Sequence, residues 1–178
     1  MDEHFSLGVT VKLYHSKLFD KVKSTTVGFD AGAYFQITDA ISAGITIQDI
    51  NSKYKWDTKP IYDEGGKTTD DKFPNLRRAA VSYRLPSNIG IISWEFENSS
   101  EKTNLMRVGA EYTPMEYFSI RGGLDRWDFS NNATGAKPSF GFSVKKPFNG
   151  WTPVVTYAFI IEPFASHGMH VVTLSGRF

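Results

Sequence analysis

The chain has no cysteine, which excludes disulfides, thiolate-bound zinc, iron–sulfur clusters and thiol nucleophiles. It also lacks any apolar run near the ~18 residues that a membrane-spanning helix needs, so a helical membrane protein is ruled out. No sign of charge dominates. Lys and Arg total 20 against 19 for Asp and Glu, and the net of +1 gives no electrostatic reason to expect nucleic acid. A targeting segment is missing too: Met1-Asp2-Glu3-His4 has no basic stretch, and no apolar segment or small-residue cleavage site follows. Taken literally this start reads as cytoplasmic. Taken with the pattern below, it reads as a chain whose true start lies elsewhere. The 178 residues suit one domain, 1–178.

What the sequence has is period-2 alternation, nearly throughout, where helix periodicity is hard to find. Phe5, Leu7, Val9, Val11 and Leu13 alternate with Ser6, Gly8, Thr10, Lys12 and Tyr14. Val27, Phe29, Ala31, Ala33 and Phe35 repeat the pattern, as do Ile41, Ala43, Ile45 and Ile47. Seven further segments follow, centred on Val81, Trp94, Val108, Ile120, Phe142, Tyr157 and Leu174, which makes ten strands of roughly 9 to 15 residues. Strands of soluble sheets cluster at ~5–6 residues, whereas crossing a bilayer at a tilt takes ~9–11.

The connections alternate in length. Those at 38–40, 86–88, 114–116 and 148–150 are short, while 18–25, 57–74, 98–103, 128–138 and 163–168 are longer. Tight turns on one side and long loops on the other are the signature of an outer-membrane barrel. Aromatics, 15% of the chain, gather near strand ends. Phe19, Trp56, Tyr62, Phe73, Trp127, Phe129 and Phe164 stand on the long-loop side, and Phe35, Tyr117, Phe118, Phe148, Trp151 and Phe178 on the short-turn side. Two such belts suit the two interfaces of a bilayer. The expected fold is therefore all-β: an antiparallel, up-and-down transmembrane β-barrel with about ten strands present. A soluble β-sandwich or lipocalin-like barrel is the alternative, since it alternates as well.

If the apolar set faces lipid, the other set faces a lumen. It includes Lys12, Asp30, Arg78, Arg84, Glu95, Glu97, Arg107, Glu111, Arg121, Asp125, Lys145 and Arg177. Read by strand, Arg84 is followed by Glu95 and Glu97, then Arg107 and Glu111, then Arg121 and Asp125. Opposite charges on neighbouring strands predict a salt-bridge ladder, because isolated charges there would be costly. Whether the ladder is structural, lines a conduit or holds a plug stays open. No catalytic residue, metal site or cofactor is expected. Of His4, His15, His167 and His170, none falls at a ligand spacing with carboxylates, and Ser166 beside His167 should point away from it on an extended chain. Asn98-Ser99-Ser100 and Asn132-Ala133-Thr134 read as turn-prone loop.

The final stretch His170-Val171-Val172-Thr173-Leu174-Ser175-Gly176-Arg177-Phe178 resembles the terminal strand of bacterial outer-membrane proteins. In that resemblance Val172, Leu174 and the final Phe178 form the signal read by the barrel assembly machinery. Gly44-Ile45-Thr46-Ile47-Gln48-Asp49-Ile50-Asn51, Phe73-Pro74-Asn75-Leu76-Arg77, Val81-Ser82-Tyr83-Arg84, Arg107-Val108-Gly109-Ala110-Glu111-Tyr112 and Arg121-Gly122-Gly123-Leu124 follow in order. With Tyr157-Ala158-Phe159 and Glu162-Pro163-Phe164, these segments resemble the C-terminal two-thirds of the PorV/PorQ-like barrel family, relatives of the FadL fatty-acid channels. That family has a glycine-rich hatch and fourteen strands. The resemblance thus implies a fragment lacking the hatch and first strands, with a smaller barrel as the alternative.

It also implies a location in the bacterial outer membrane and a non-enzymatic role, with the lipid bilayer and the assembly machinery as partners. Two functions follow: passage of hydrophobic small molecules such as fatty acids, or reception of exported proteins as part of a secretion system. Loop 57–74, with its mixture of charge and aromatics, is the surface expected to serve the second role.

Overall fold

The computed structural model describes residues 4–129 and 135–177. It is all-β, 72% strand and 5% helix. Among the described residues twelve strands form, and ten of them make one antiparallel sheet: β1 (Phe5–Phe19), β2 (Val22–Gln36), β3 (Ile41–Ile50), β6 (Leu76–Arg84), β7 (Gly90–Ser99), β8 (Asn104–Met115), β9 (Phe118–Asp128), β10 (Lys137–Lys145), β11 (Thr152–Ile160) and β12 (Met169–Arg177). Each pairs with the next of the ten along the chain, so the sheet is an up-and-down meander. The remaining two, β4 (Lys53–Asp57) and β5 (Thr68–Lys72), form a separate hairpin between β3 and β6, with a single helical turn at its tip (Lys59–Tyr62).

The sheet is open. Among the described residues no pairing joins β1 to β12, and these are its two free edges. One further expectation is corrected: segment 18–25 is not a loop. β1 and β2 run on to Phe19 and Val22, leaving Asp20 and Lys21 as the turn of a long hairpin. Segment 57–74 likewise contains half of the β4–β5 hairpin rather than irregular chain.

Register separates the side chains into two faces, since residues directly paired across strands point the same way. One rung of the apolar face runs Val9, Ala31, Ile47, and another runs Val81, Trp94, Val108, Leu124. Among the described residues only Val22 and Leu105 are buried apolar side chains. By contrast Leu7, Val9, Leu13 and Leu174 are 72–76% exposed. The chain exposes 12,624 Å², against the ~8,700 Å² expected of a globular protein of its mass. A single sheet, with nothing over its apolar face, accounts for the excess.

The strands are staggered regularly. One row of partners begins at Gln36, the turn end of β2, and passes through Ser42, Ser82, Ser93, Gly109, Gly123, Ser139 and Ile160. It arrives at Met169, the loop end of β12. The row thus climbs the length of a nine-residue strand in eight strand-to-strand steps. One residue of stagger per strand, with ~3.3 Å rise and ~4.8 Å spacing, corresponds to a strand tilt of about 35°.

Candidate functional site

The polar face gathers its charges in a connected network near the loop end. Arg107 of β8 stands at its centre. Its Nη1 donates to Glu95 Oε1 at 2.6 Å and to Glu97 Oε2 at 3.2 Å, and its Nε donates to Asp125 Oδ1 at 2.7 Å. Arg78 of β6 closes the other side, its Nε donating to Glu97 at 2.5 Å and its Nη1 to Gln48 Oε1 at 2.7 Å. Glu97 is the deepest member, its side chain 7% exposed between two guanidinium groups. A carboxylate so enclosed is tolerable only because both cations hydrogen-bond it. A separate pair joins Arg121 to Glu111 at 2.5 Å on β9 and β8, and Lys137 reaches Glu162 at 2.7 Å.

Of the charges expected in a ladder, Glu95, Glu97, Arg107, Glu111, Arg121 and Asp125 form ion pairs. Arg84, expected opposite Glu95 and Glu97, pairs in register with Ile91 and makes no ion pair among the described residues. Arg78 takes its place, because the β6–β7 register sets Arg78 against Glu97. Lys145 likewise makes no ion pair among the described residues; it lines a cleft with Thr113, Ser119 and Ser143 at the turn end. Arg177 pairs with Thr152 through its backbone, and its side chain lies outside what is described.

A second cluster ties the first three strands together. Lys12 Nζ lies 2.8 Å from Asp30 Oδ2 and 3.1 Å from Asp49 Oδ1, and the Tyr14 hydroxyl donates to Asp49 Oδ1 at 2.5 Å. The Asp49 amide donates to Asp30 Oδ1 at 3.0 Å. By alternation Asp49 would share the apolar face with Ile45 and Ile47. A register shift between β2 and β3, with φ of 56° at Asp49, turns it to the polar side instead. Sequence periodicity could not show this.

Above that cluster the β4–β5 hairpin folds over the polar face of β1 and β2. Lys55 donates its amide to Ser24 Oγ at 2.9 Å, and Val22 and Ser24 are buried beneath. Phe73 packs edge-on against both Tyr14 and Tyr54, each with centroids 4.8 Å apart, and Tyr54 continues to Trp56 at 5.1 Å. Phe73 therefore belongs to this small core rather than to an aromatic belt. Gly28 is required here, because a Cβ on it would collide with Ser52 Oγ. Lys53 Nζ hydrogen-bonds Asp70 at 2.6 Å and holds its carboxyl below the ordinary carboxylate range.

Between the loop-end network and the turn end the polar face carries small side chains. Ser93, Gly109, Gly123, Ser139, Gly141 and Ala158 floor a depression of about 380 Å³ whose lining is mainly apolar, with Ile91 at its side. Nothing in alternation alone marks these positions as a unit. The register aligns them.

Elsewhere, one expectation is corrected. Ser166 and His167 do not point apart: their segment is bent, and Ser166 Oγ lies 2.9 Å from His167 Nδ1. His15 meets Thr25 at 2.9 Å and His170 meets Tyr157 at 2.8 Å. Among the described residues no group of three or more His, Asp or Glu side chains is placed to hold a metal. Val172 and Leu174 lie on the apolar face of the free edge strand β12, 71% and 75% exposed. Phe178 and Asn132-Ala133-Thr134 lie outside the described residues. No protein-family model matches the chain, and neither does any curated protein.

Proposed function

We propose that the chain is the wall of a bacterial outer-membrane β-barrel that passes hydrophobic small molecules, with fatty acids the class implied by its resemblance to FadL-related barrels. The observation that carries the reading is the two-faced sheet. Among the described residues nothing covers its apolar face, and its polar face carries paired charges. A water-soluble domain buries such a face against a second layer; a lipid-facing barrel leaves it bare. A nine-residue apolar stripe such as Phe5–Leu13, tilted by about 35°, stands roughly 20–25 Å tall, close to the ~25 Å band of outer-membrane barrels. The stagger of one residue per strand is what a closing barrel requires. The free edges β1 and β12 are where further strands would continue the wall toward fourteen, or where ten would close on themselves.

Passage of apolar molecules is supported by the depression along Ser93, Gly109, Gly123 and Gly141, a pale stripe between charged groups. Its test is uptake of a fluorescent fatty acid into vesicles holding the protein. Gly109→Leu should cut uptake several-fold with insertion unchanged, because a Cβ there meets nothing closer than Ser93 Oγ at 3.4 Å and the fold can accept it. Uptake equal to that of the parent protein would overturn the transport role. The secretion reading draws on Ile61 and Tyr62, exposed at the tip of the β4–β5 hairpin where an exported protein could dock. Recovery of an exported protein with the native barrel, lost in Tyr62→Ala, would favour that reading.

A further inference from the structure

Every carboxylate in the middle of the ten-strand sheet points to the polar face: Asp30, Glu95, Glu97, Glu111 and Asp125 all lie in its pairs or networks. Among the described residues within the sheet strands, the charges on the opposite face are cations at the loop end. Following β1 upward along that face, Leu13 pairs with Val27, then His15 with Thr25, then Lys17 with Lys23. Two cations thus stand directly opposite each other, an arrangement that costs stability unless an anion lies nearby. Lys17 has Asp20 at 2.5 Å in the turn, whereas Lys21 and Lys23 make no ion pair among the described residues. Arg77, next above Ala79 on the same face of β6, is exposed and also makes none.

The hairpin is held in place. The side chains between these rungs, Val22 and Ser24, are buried under β4, which fixes the orientation of Lys17 and Lys23 away from the polar face. They stand four residues beyond Leu13, the last apolar residue of the stripe, or about 10 Å above it at a 35° tilt. That lies above the hydrocarbon band, at the outer side of the lipid headgroup layer.

We propose that this outward side of the β1–β2 hairpin, with Arg77 lower on the wall, binds phosphate groups of the lipids around the loop end of the barrel, such as those of a phosphorylated glycolipid. The inference rests on the membrane reading above. Phosphate suits the site because Asp20 answers Lys17 alone and leaves Lys21, Lys23 and Arg77 without an anion among the described residues, and because cations at a lipid surface gain about fivefold in affinity per charge. The binding would anchor the outward side of a hairpin whose inner side β4 already holds.

The experiment uses the full chain in phosphatidylcholine vesicles titrated with lipopolysaccharide. Parallel arms use phosphatase-treated lipopolysaccharide and free inorganic phosphate as competitor. Lys17→Gln with Lys23→Gln should weaken binding about 25-fold, Lys17→Arg with Lys23→Arg should retain it, and the phosphatase-treated lipid should bind the parent protein no better than the double Gln variant. Inorganic phosphate should not displace the lipid. Equal binding by the Gln variant, or undiminished binding of the treated lipid, would overturn this inference while leaving the barrel intact. Failure of the parent protein to insert would overturn it together with the membrane reading, so the two failures are distinguishable.

Discussion

Two regions of this molecule are held together in different ways. The cap formed by β4, β5 and the upper parts of β1 and β2 is built as a soluble protein is built. Two layers meet, Val22 is 1% exposed, and Tyr14, Phe73 and Tyr54 pack ring against ring. The ten-strand sheet below has backbone pairing and charge networks but no apolar core, and its hydrophobic side chains face outward. The cap gets its hydrophobic stabilisation from the protein itself. The sheet needs an outside medium to supply the same effect.

Substitutions can break this contrast, and the largest effect is expected at the middle of the apolar stripe. Val9→Arg should cost about 2–4 kcal/mol in a bilayer, as a cation on a lipid face does, and next to nothing where Val9 faces water. Denaturant unfolding of the parent and the variant in vesicles separates the two outcomes. In the charge network, Arg107→Met leaves Glu95 and Asp125 without their close partner and Glu97 with Arg78 alone, and should cost about 2 kcal/mol. Arg84→Met, which breaks no pair, should stay within ~0.5 kcal/mol. A result in which the two variants unfold alike would remove the network from the account.

The cap should respond on its own. Gly28→Ala drives a methyl group into Ser52 Oγ and should destabilise the cap by about 1–2 kcal/mol, with Ser52→Gly restoring most of it. Hydrogen exchange should speed up in β4 and β5 and not in β7 to β9; acceleration throughout would show that the two regions are one cooperative unit. The smallest effect is a pH response. Asp70 is held below its ordinary value by the hydrogen bond from Lys53, so its contribution is present above about pH 4 and is lost as pH falls below that. The protection factors of β5 amides, exchange rates divided by their intrinsic pH-dependent rates, should fall only in that acid range and should stay level there in Asp70→Asn.

Much of the sheet was legible because alternation reports burial on one face directly, and ten of the twelve strands announce themselves that way. β5 does not, since Thr68-Thr69-Asp70-Asp71-Lys72 is polar throughout, and β4 alternates only across Tyr54 and Trp56, too short a run to stand out. They fold because aromatic residues of the hairpin find Tyr14 across the chain. The charged ladder was legible as a set but not as pairs. Arg78 and Arg84 share a face of β6, and only register decides that the first meets Glu97. Asp49 was hidden for a different reason, as the register shift beside it reverses the parity on which the reading depends. The mid-face depression belongs to register as well, because its floor comes from five different strands.

The central claim is that the bare apolar face is a lipid-facing surface. The most direct measurement is to refold the chain from denaturant with and without phosphatidylcholine vesicles, and to follow β-structure together with protection from protease. The account expects antiparallel β-structure to form with the vesicles, with the sheet strands protected and β4–β5 open to cleavage, and aggregation without them. A monodisperse, protease-resistant β-protein in plain buffer would contradict it.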